Sequence, residues 1–374
     1  MTTFVPLEIE EWHATHEESV VYNLADSGVP ALTLRELVPG PSAFADLGRL
    51  SLGYPPAVGS RRLRELVGEW VGGTAASRVL ITAGAAEALS IVVGALVAPG
   101  DEIVVIEPGY RHVRGLAENA GAVVSAVRLR PERQWRLDLG EIEEAVGPGV
   151  RVISVNNPAN PLGTVLSEQE MTGLVRIAER RGAWIVADEV YRGSERDGGP
   201  VTLSFAGMYD RAVCIGSLSK AFGLPGLRIG WVAAEPEVLA SACRRHEYAA
   251  IAASAVSIAL AESALEQPRR DELIERGRTF IRAGYDRLSR WVDASGGLLS
   301  VVPPDAAAMA FVRYHADVAS VDLADAIRTG ARTLVCAGDY FGGPRHLRIQ
   351  HTVAPEVLDA VMPGIIEIVG RYAA

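Results

Sequence analysis

Residues 212–230 read Ala212-Val213-Cys214-Ile215-Gly216-Ser217-Leu218-Ser219-Lys220-Ala221-Phe222-Gly223-Leu224-Pro225-Gly226-Leu227-Arg228-Ile229-Gly230. A short apolar run ends in a polar turn that carries a lysine, and a second apolar run, Ile229 to Val232, follows close behind. Outward from this stretch the pattern repeats. Val79-Leu80-Ile81, Glu102 to Ile106, Ala122-Val123-Val124, Val152 to Val155 and Trp184 to Ala187 read as further strands, with helical patterns over 86–97, 110–119 and 167–181 between several of them. This alternation predicts an α/β fold with a mostly parallel sheet covered by helices on both faces. Ligands of such a sheet sit beyond the carboxyl ends of its strands, which is where Ser217 to Lys220 stand. A long helix is expected around 271–294 with a mixed α+β tail after it, while residues 1 to about 45 read as acidic and irregular. The expected division is an arm and part of a small domain over 1–45, a large domain over 46–270, and the rest of the small domain over 271–374.

Lys plus Arg number 36, yet Lys220 is the single lysine; every other basic side chain is arginine. Guanidinium serves solvation and ion pairing, but it stays protonated and is a poor nucleophile, whereas an amine can condense with an aldehyde. Position 220 therefore reads as a place where a primary amine is chemically required. A net charge of −10 argues against a nucleic-acid or anionic-membrane partner. Cys214, Cys243 and Cys336 have neither disulfide nor zinc spacing and read as packing residues in a reducing cytoplasm. No signal peptide, membrane span or bound metal is expected.

Ser217-x-Ser219-Lys220 followed by Gly226-x-Arg228-x-Gly230 resembles the lysine motif of fold-type I, class I/II aminotransferases, which use pyridoxal 5′-phosphate (PLP). The resemblance implies a seven-stranded large-domain sheet, a smaller α+β domain, and Lys220 holding the cofactor as a Schiff base. It also implies that Ser217 and Arg228 serve the cofactor phosphate, together with the small-residue turn Gly84-Ala85-Ala86 at a helix start, and that Ser219 is among the cofactor-binding residues. Glu107-Pro108-Gly109-Tyr110 is similar to the segment whose ring stacks on the cofactor. Asn157-Pro158-Ala159-Asn160-Pro161-Leu162-Gly163 is similar to N-P-x-N-P-T-G, with Leu162 in place of Thr. Asn160 and Tyr191 would then bond the phenolic oxygen, and Asp188, at a strand end, the pyridine nitrogen. Arg348 in Arg345-His346-Leu347-Arg348-Ile349 would grip the substrate α-carboxylate, as a bidentate fork does better than an ammonium, with Asn160 beside it. Arg345 reads as a solvated charge. Tyr54 would reach the phosphate of a neighbouring copy, implying a homodimer.

The arm, with Thr15-His16-Glu17-Glu18 and Asn23 to Val29, resembles that of a smaller subgroup acting on arginine or hydroxyarginine, which includes capreomycidine synthases and oxygen-using arginine oxidases and hydroxylases. Thr15, Glu18 and Asp26 are its candidates for holding a guanidinium. Gly28 and Ser217 stand where the hydroxylases carry His and Asp, which points toward the synthases. The implied partner is a small-molecule substrate, an L-α-amino acid, with chemistry at Cα and, in cyclases, at Cβ or Cγ, in antibiotic-type metabolism. An ordinary transaminase with a 2-oxo acid acceptor, its acidic arm merely solvated, stays open beside it, as does a noncatalytic regulator built on the same fold.

Overall fold

The computed structural model describes residues 4–38 and 40–373. Its main sheet has seven strands: β1 (Val79–Thr82), β2 (Glu102–Glu107), β3 (Val123–Arg128), β4 (Val150–Asn156), β5 (Trp184–Asp188), β6 (Ala212–Ser217) and β7 (Gly230–Ala233). Their order is β1-β7-β6-β5-β4-β2-β3. Strand β7 is antiparallel to both its neighbours, and all other pairs are parallel. Every residue of β6 is buried, whereas the edge strand β3 is buried only at Val127. The continuous apolar runs are thus the strands with protein on both faces; of the two edge strands, β3 is largely open to solvent while β1 is buried throughout.

Two cores lie on the two faces. Cys214 of β6 and Ile185 of β5 join Leu63, Val67, Leu174 and Ile177 on one side. Val213 and Ile215, one residue out of phase, join Leu89, Val92, Val238 and Leu239 on the other. The two-residue period of a strand assigns these side chains to opposite layers. Helix Glu168–Arg181 starts at a capping box formed by Ser167 and Glu170, and ends at Gly182 in the left-handed conformation.

The chain ends share a third core, in which Ile9, Trp12 and Leu24 pack with Leu347, Ile349 and Leu358. Here a four-stranded antiparallel sheet runs in the order Cys336–Ala337, His346–Gln350, Met309–Tyr314, Leu299–Val301. The arm differs from its sequence reading: Glu8–His16 is an α-helix. Its first turn holds Glu8, Glu10 and Glu11, which favour a helix N-terminus electrostatically. Only Ile9 and Trp12 are buried along it, so the apolar stripe that would betray a helix is two residues wide. Tertiary contact fixes it, with Trp12 Nε1 donating to the Val335 carbonyl at 3.0 Å.

Helix Arg269–Asp293 holds the loop that follows Asp188. Arg278 is buried and paired with buried Glu195, and it also donates to the carbonyls of Gly193 at 3.1 Å and Gly199 at 2.9 Å. Glu195 in turn accepts from the backbone N–H groups of Gly193 and Thr202. Removing one partner strands the other charge in the interior. Arg278→Met is expected to lower unfolding stability by about 3–5 kcal/mol, read as a shift of the urea midpoint at unchanged slope, whereas the exposed Arg345–Asp317 pair should tolerate Arg345→Met with a loss of under about 1 kcal/mol.

Candidate active site

At the carboxyl ends of β5 and β6 a cavity of about 400 Å³ opens between the main sheet, the arm and the strand His346–Gln350. Thr82 ends β1, and Gly84, at φ +90°, starts helix Ala85–Leu96. Ala85 and Ala86 thereby bring the first free N–H groups of the helix to the cavity wall. Two close approaches fix this corner. A Cβ on Gly84 would lie 2.2 Å from Arg228 Nη2, and one on Gly230 would lie 2.4 Å from the Gly84 carbonyl carbon. Ser217 and Ser219 complete it, with the Ser219 N–H donating to Ser217 Oγ at 3.1 Å. Helix dipole, guanidinium and hydroxyls converge there, a donor set suited to a phosphate dianion.

Asp188 closes β5 and is 8% exposed. Burial pushes its carboxyl up to about 7, and neighbouring Glu189 adds to the rise. The Val190 N–H and the charge of Lys220 act against it. A carboxyl placed in this way is complementary to a buried cation or a protonated ring nitrogen. Lys220 Nζ donates to Ser27 Oγ at 2.8 Å. Asn156 Nδ2 donates to the Asp188 carbonyl at 2.8 Å, and its Oδ1 accepts from the Asn160 N–H at 2.6 Å. The Asn160 turn is thus strapped to the end of β5.

Arg348 is 3% exposed. Its guanidinium donates to Asn160 Oδ1 at 3.0 Å and to the Ala25 carbonyl, touches Cys336 Sγ at 3.3 Å, and lies 5.0 Å from the Phe341 ring centre. Its Nε is buried without an acceptor, which an incoming carboxylate could supply. Tyr110 donates its hydroxyl to Glu10 Oε1 at 2.8 Å. Burial, then the Glu10 charge, hold that phenol well above its ordinary range. His13 is held below the usual histidine range by burial and Arg348, against the pull of Glu10 and Asp26, and is therefore neutral at pH 7. Burial pushes the Asp26 carboxyl up, but Lys220, the Ser27 and Gly28 N–H groups and Arg348 outweigh it, so Asp26 stays ionised. No group of three or more His, Cys, Asp and Glu side chains among the described residues is arranged to hold a metal.

One cavity therefore collects Asp26, Ala85, Ala86, Tyr110, Asn160, Asp188, Tyr191, Ser217, Ser219, Lys220, Arg228 and Arg348, with Gly84 at its edge. Thr15 and Glu18, expected at the substrate, are exposed and do not line it. The cause is helical phase. Glu10 and His13, three residues apart, face the cavity, while Thr15 lies about 200° further round the helix than His13; Glu18 follows the helix in a short 3-10 turn. Glu10, His13, Ser27 and His112 also line the cavity without having been expected there. The i, i+3 spacing of Glu10 and His13 was the available signal, invisible while the arm read as irregular. Tyr54 is 85% exposed and away from its own chain's cavity.

Residues 29–365 match the family described as aminotransferase class I and II. The chain belongs to that family. Over 368 residues it is 30% identical to a capreomycidine synthase from Streptomyces vinaceus, covering 98% of this chain and 94% of that protein. It is 34% identical over 203 residues to the arginine–pyruvate transaminase AruH of Pseudomonas aeruginosa, covering 52% of each. A PLP-dependent aminotransferase from Streptococcus suis superposes with a TM-score of 0.91 at 28% identity over 99% of both chains. The PLP-dependent cyclase OrfR superposes at 0.89 with 26% identity, covering 99% of this chain and 98% of that one. The protein is a PLP-dependent enzyme, and the cavity suits the cofactor: an anion corner at Ala85, Ala86 and Arg228, a buried acid at Asp188, and an amine at Lys220.

Because folded Asp188 binds its proton more tightly than the unfolded chain does, its contribution to the cofactor-free protein is fully present below pH 3.8 and is lost as pH rises through about 7. The loss is on the order of 4 kcal/mol. The apoprotein of Asp188→Asn should therefore be more stable than the parent apoprotein at pH 8 and indistinguishable from it near pH 4; equal denaturation midpoints at pH 8 would contradict this. Lys220→Arg should remain folded but yield no borohydride-trapped cofactor peptide by mass spectrometry, whereas the parent yields one.

Proposed function

We propose that this enzyme acts on L-arginine or a hydroxylated arginine in specialised, antibiotic-type metabolism. The observation that carries the reading is the pair of carboxylates, Glu10 and Asp26, that the arm turns into the cavity holding Lys220 and Arg348. Two acids beside a substrate site suit a cationic side chain, since a carboxylate and a guanidinium meet in charge-assisted hydrogen bonds. The similarity to a capreomycidine synthase along nearly the whole chain, and the shorter one to an arginine–pyruvate transaminase, support it.

In this reading Arg348 and Asn160 orient the α-carboxylate, and Lys220 removes the proton from Cα as general base. Ser217, Ser219, Arg228 and the N–H groups at Ala85 and Ala86 hold the phosphate, Tyr110 covers the ring, and Asn160 and Tyr191 bond the phenolic oxygen. Asp188 keeps a proton on the ring nitrogen. Bound PLP supplies an electron sink for the pair left at Cα. Exposed Tyr54 serves the phosphate of a second copy in a homodimer. Glu10 and Asp26 bind the guanidinium, with neutral His13 beside them able to accept a proton from the side chain.

A plain transaminase using a 2-oxo acid acceptor is the second reading, supported by the likeness to the Streptococcus suis aminotransferase over the whole chain. Spectral titration of the holoenzyme separates the two. L-Arginine should perturb the cofactor band at lower concentration than norleucine or phenylalanine, and Asp26→Ala should weaken the arginine response about ten- to a hundredfold, and more than it weakens the norleucine response. Equal responses of the parent to arginine and norleucine would favour the plain transaminase. Product masses after aerobic incubation would then distinguish transamination, cyclisation and oxidation.

A further inference from the structure

Lys220 sits on the main sheet's side of the cavity, but the hydrogen-bond partner of its amine comes from the arm: Nζ donates to Ser27 Oγ at 2.8 Å. Ser27 is 6% exposed, and its backbone is held from several directions. The Asp26 carboxylate accepts from the N–H groups of Ser27 at 2.5 Å and Gly28 at 3.3 Å. The Gly28 carbonyl accepts from Gln350 Nε2 at 2.7 Å and Thr352 Oγ1 at 3.0 Å. The Gln350 N–H donates to the Leu24 carbonyl. The backbone that carries the hydroxyl is therefore held in place one rotatable bond from it, whereas a lysine amine rides on a flexible four-carbon stem.

We propose that Ser27 is a positioning residue for the Lys220 amine, so that the arm, and not the sheet alone, assembles the reactive lysine. By accepting one N–H, Ser27 Oγ confines the nitrogen while leaving its lone pair free, and less orientational freedom has to be given up on the way to attack. The inference rests on the reading of Lys220 as the residue that links PLP. In that step a bond forms between Nζ and the aldehyde carbon, and both amine hydrogens leave with the aldehyde oxygen as water. No oxidant or reductant is consumed.

The test mixes full-length apoenzyme with PLP and follows formation of the linked cofactor by stopped-flow absorbance, with borohydride trapping and mass spectrometry of the Lys220 peptide. In parallel, the affinity for pyridoxamine 5′-phosphate, which has no aldehyde, reports the phosphate and ring contacts alone. Ser27→Ala is expected to slow capture about tenfold while changing that affinity by less than about twofold, and Ser27→Thr is expected to restore most of the rate. Capture by Ser27→Ala at the parent rate overturns the proposal. So does an equal loss of capture and of pyridoxamine phosphate affinity, which is the mark of a merely structural residue. If Ser27→Ala fails to fold by circular dichroism, Ser27→Gly, which also lacks the hydroxyl, carries the same two measurements. A parent protein that gives no trapped adduct at Lys220 overturns the underlying reading instead, and the proposal with it.

Discussion

A carboxyl group at the end of a central, doubly covered strand is the constraint around which the cavity is organised. Asp188 is out of water, and neither the Val190 N–H nor Lys220 brings its affinity for a proton back to that of an exposed acid. Left alone, the group makes the fold less stable at neutral pH. The surroundings make sense as a frame for a cationic partner: Asn156 clamps the strand end, the Arg278–Glu195 pair fixes the loop that follows, and the anion corner lies across the cavity. In the proposed role, stability given up at one carboxyl is recovered when a cationic ring binds beside it, a relation between strain and function often found in active sites.

The sheet was legible because its physics is local. Continuous apolar runs such as Ala212 to Ile215 have one conformation that buries both faces, and the helices between them carry clear caps and stripes. The cofactor cavity was legible for a different reason: the residues that build it sit at strand ends and tight turns, where residue type is restricted by close contact, as at Gly84 and Gly230. The arm was not legible. Helix Glu8–His16 draws its fixity from Trp12 and Ile9 meeting a core that includes Leu347, Ile349 and Leu358 from the other end of the chain, and no local pattern announces that. Misreading it placed the expected substrate contacts at Thr15 and Glu18 and missed Glu10, an error of helical phase with direct consequences for chemistry.

The arm ties the groups of the cavity to one another. Its residues 24–28 bridge two functional side chains, with the Ala25 carbonyl receiving the Arg348 guanidinium and the Ser27 hydroxyl receiving the Lys220 amine. Glu10 is bonded to Tyr110, so the helix that brings acids to the cavity also touches its aromatic wall. In the proposed roles, substrate side chain, carboxylate clamp and base are therefore not independently variable. A change in the arm's seating would move all three together, and coupled sites of this kind give non-additive mutational effects.

The arginine-for-lysine composition has a consequence outside catalysis. Acylation, glycation and other modifications that target ε-amines have a single address on this chain, and it lies inside the cavity beside Ser27. When that amine is engaged, the only primary amine left to such reagents is the chain's own α-amino group. If Lys220 links the cofactor as proposed, acyl donors that react with ε-amines compete with it for the same nitrogen, and the degree of lysine acylation in a sample would read as the fraction of molecules unable to form that link.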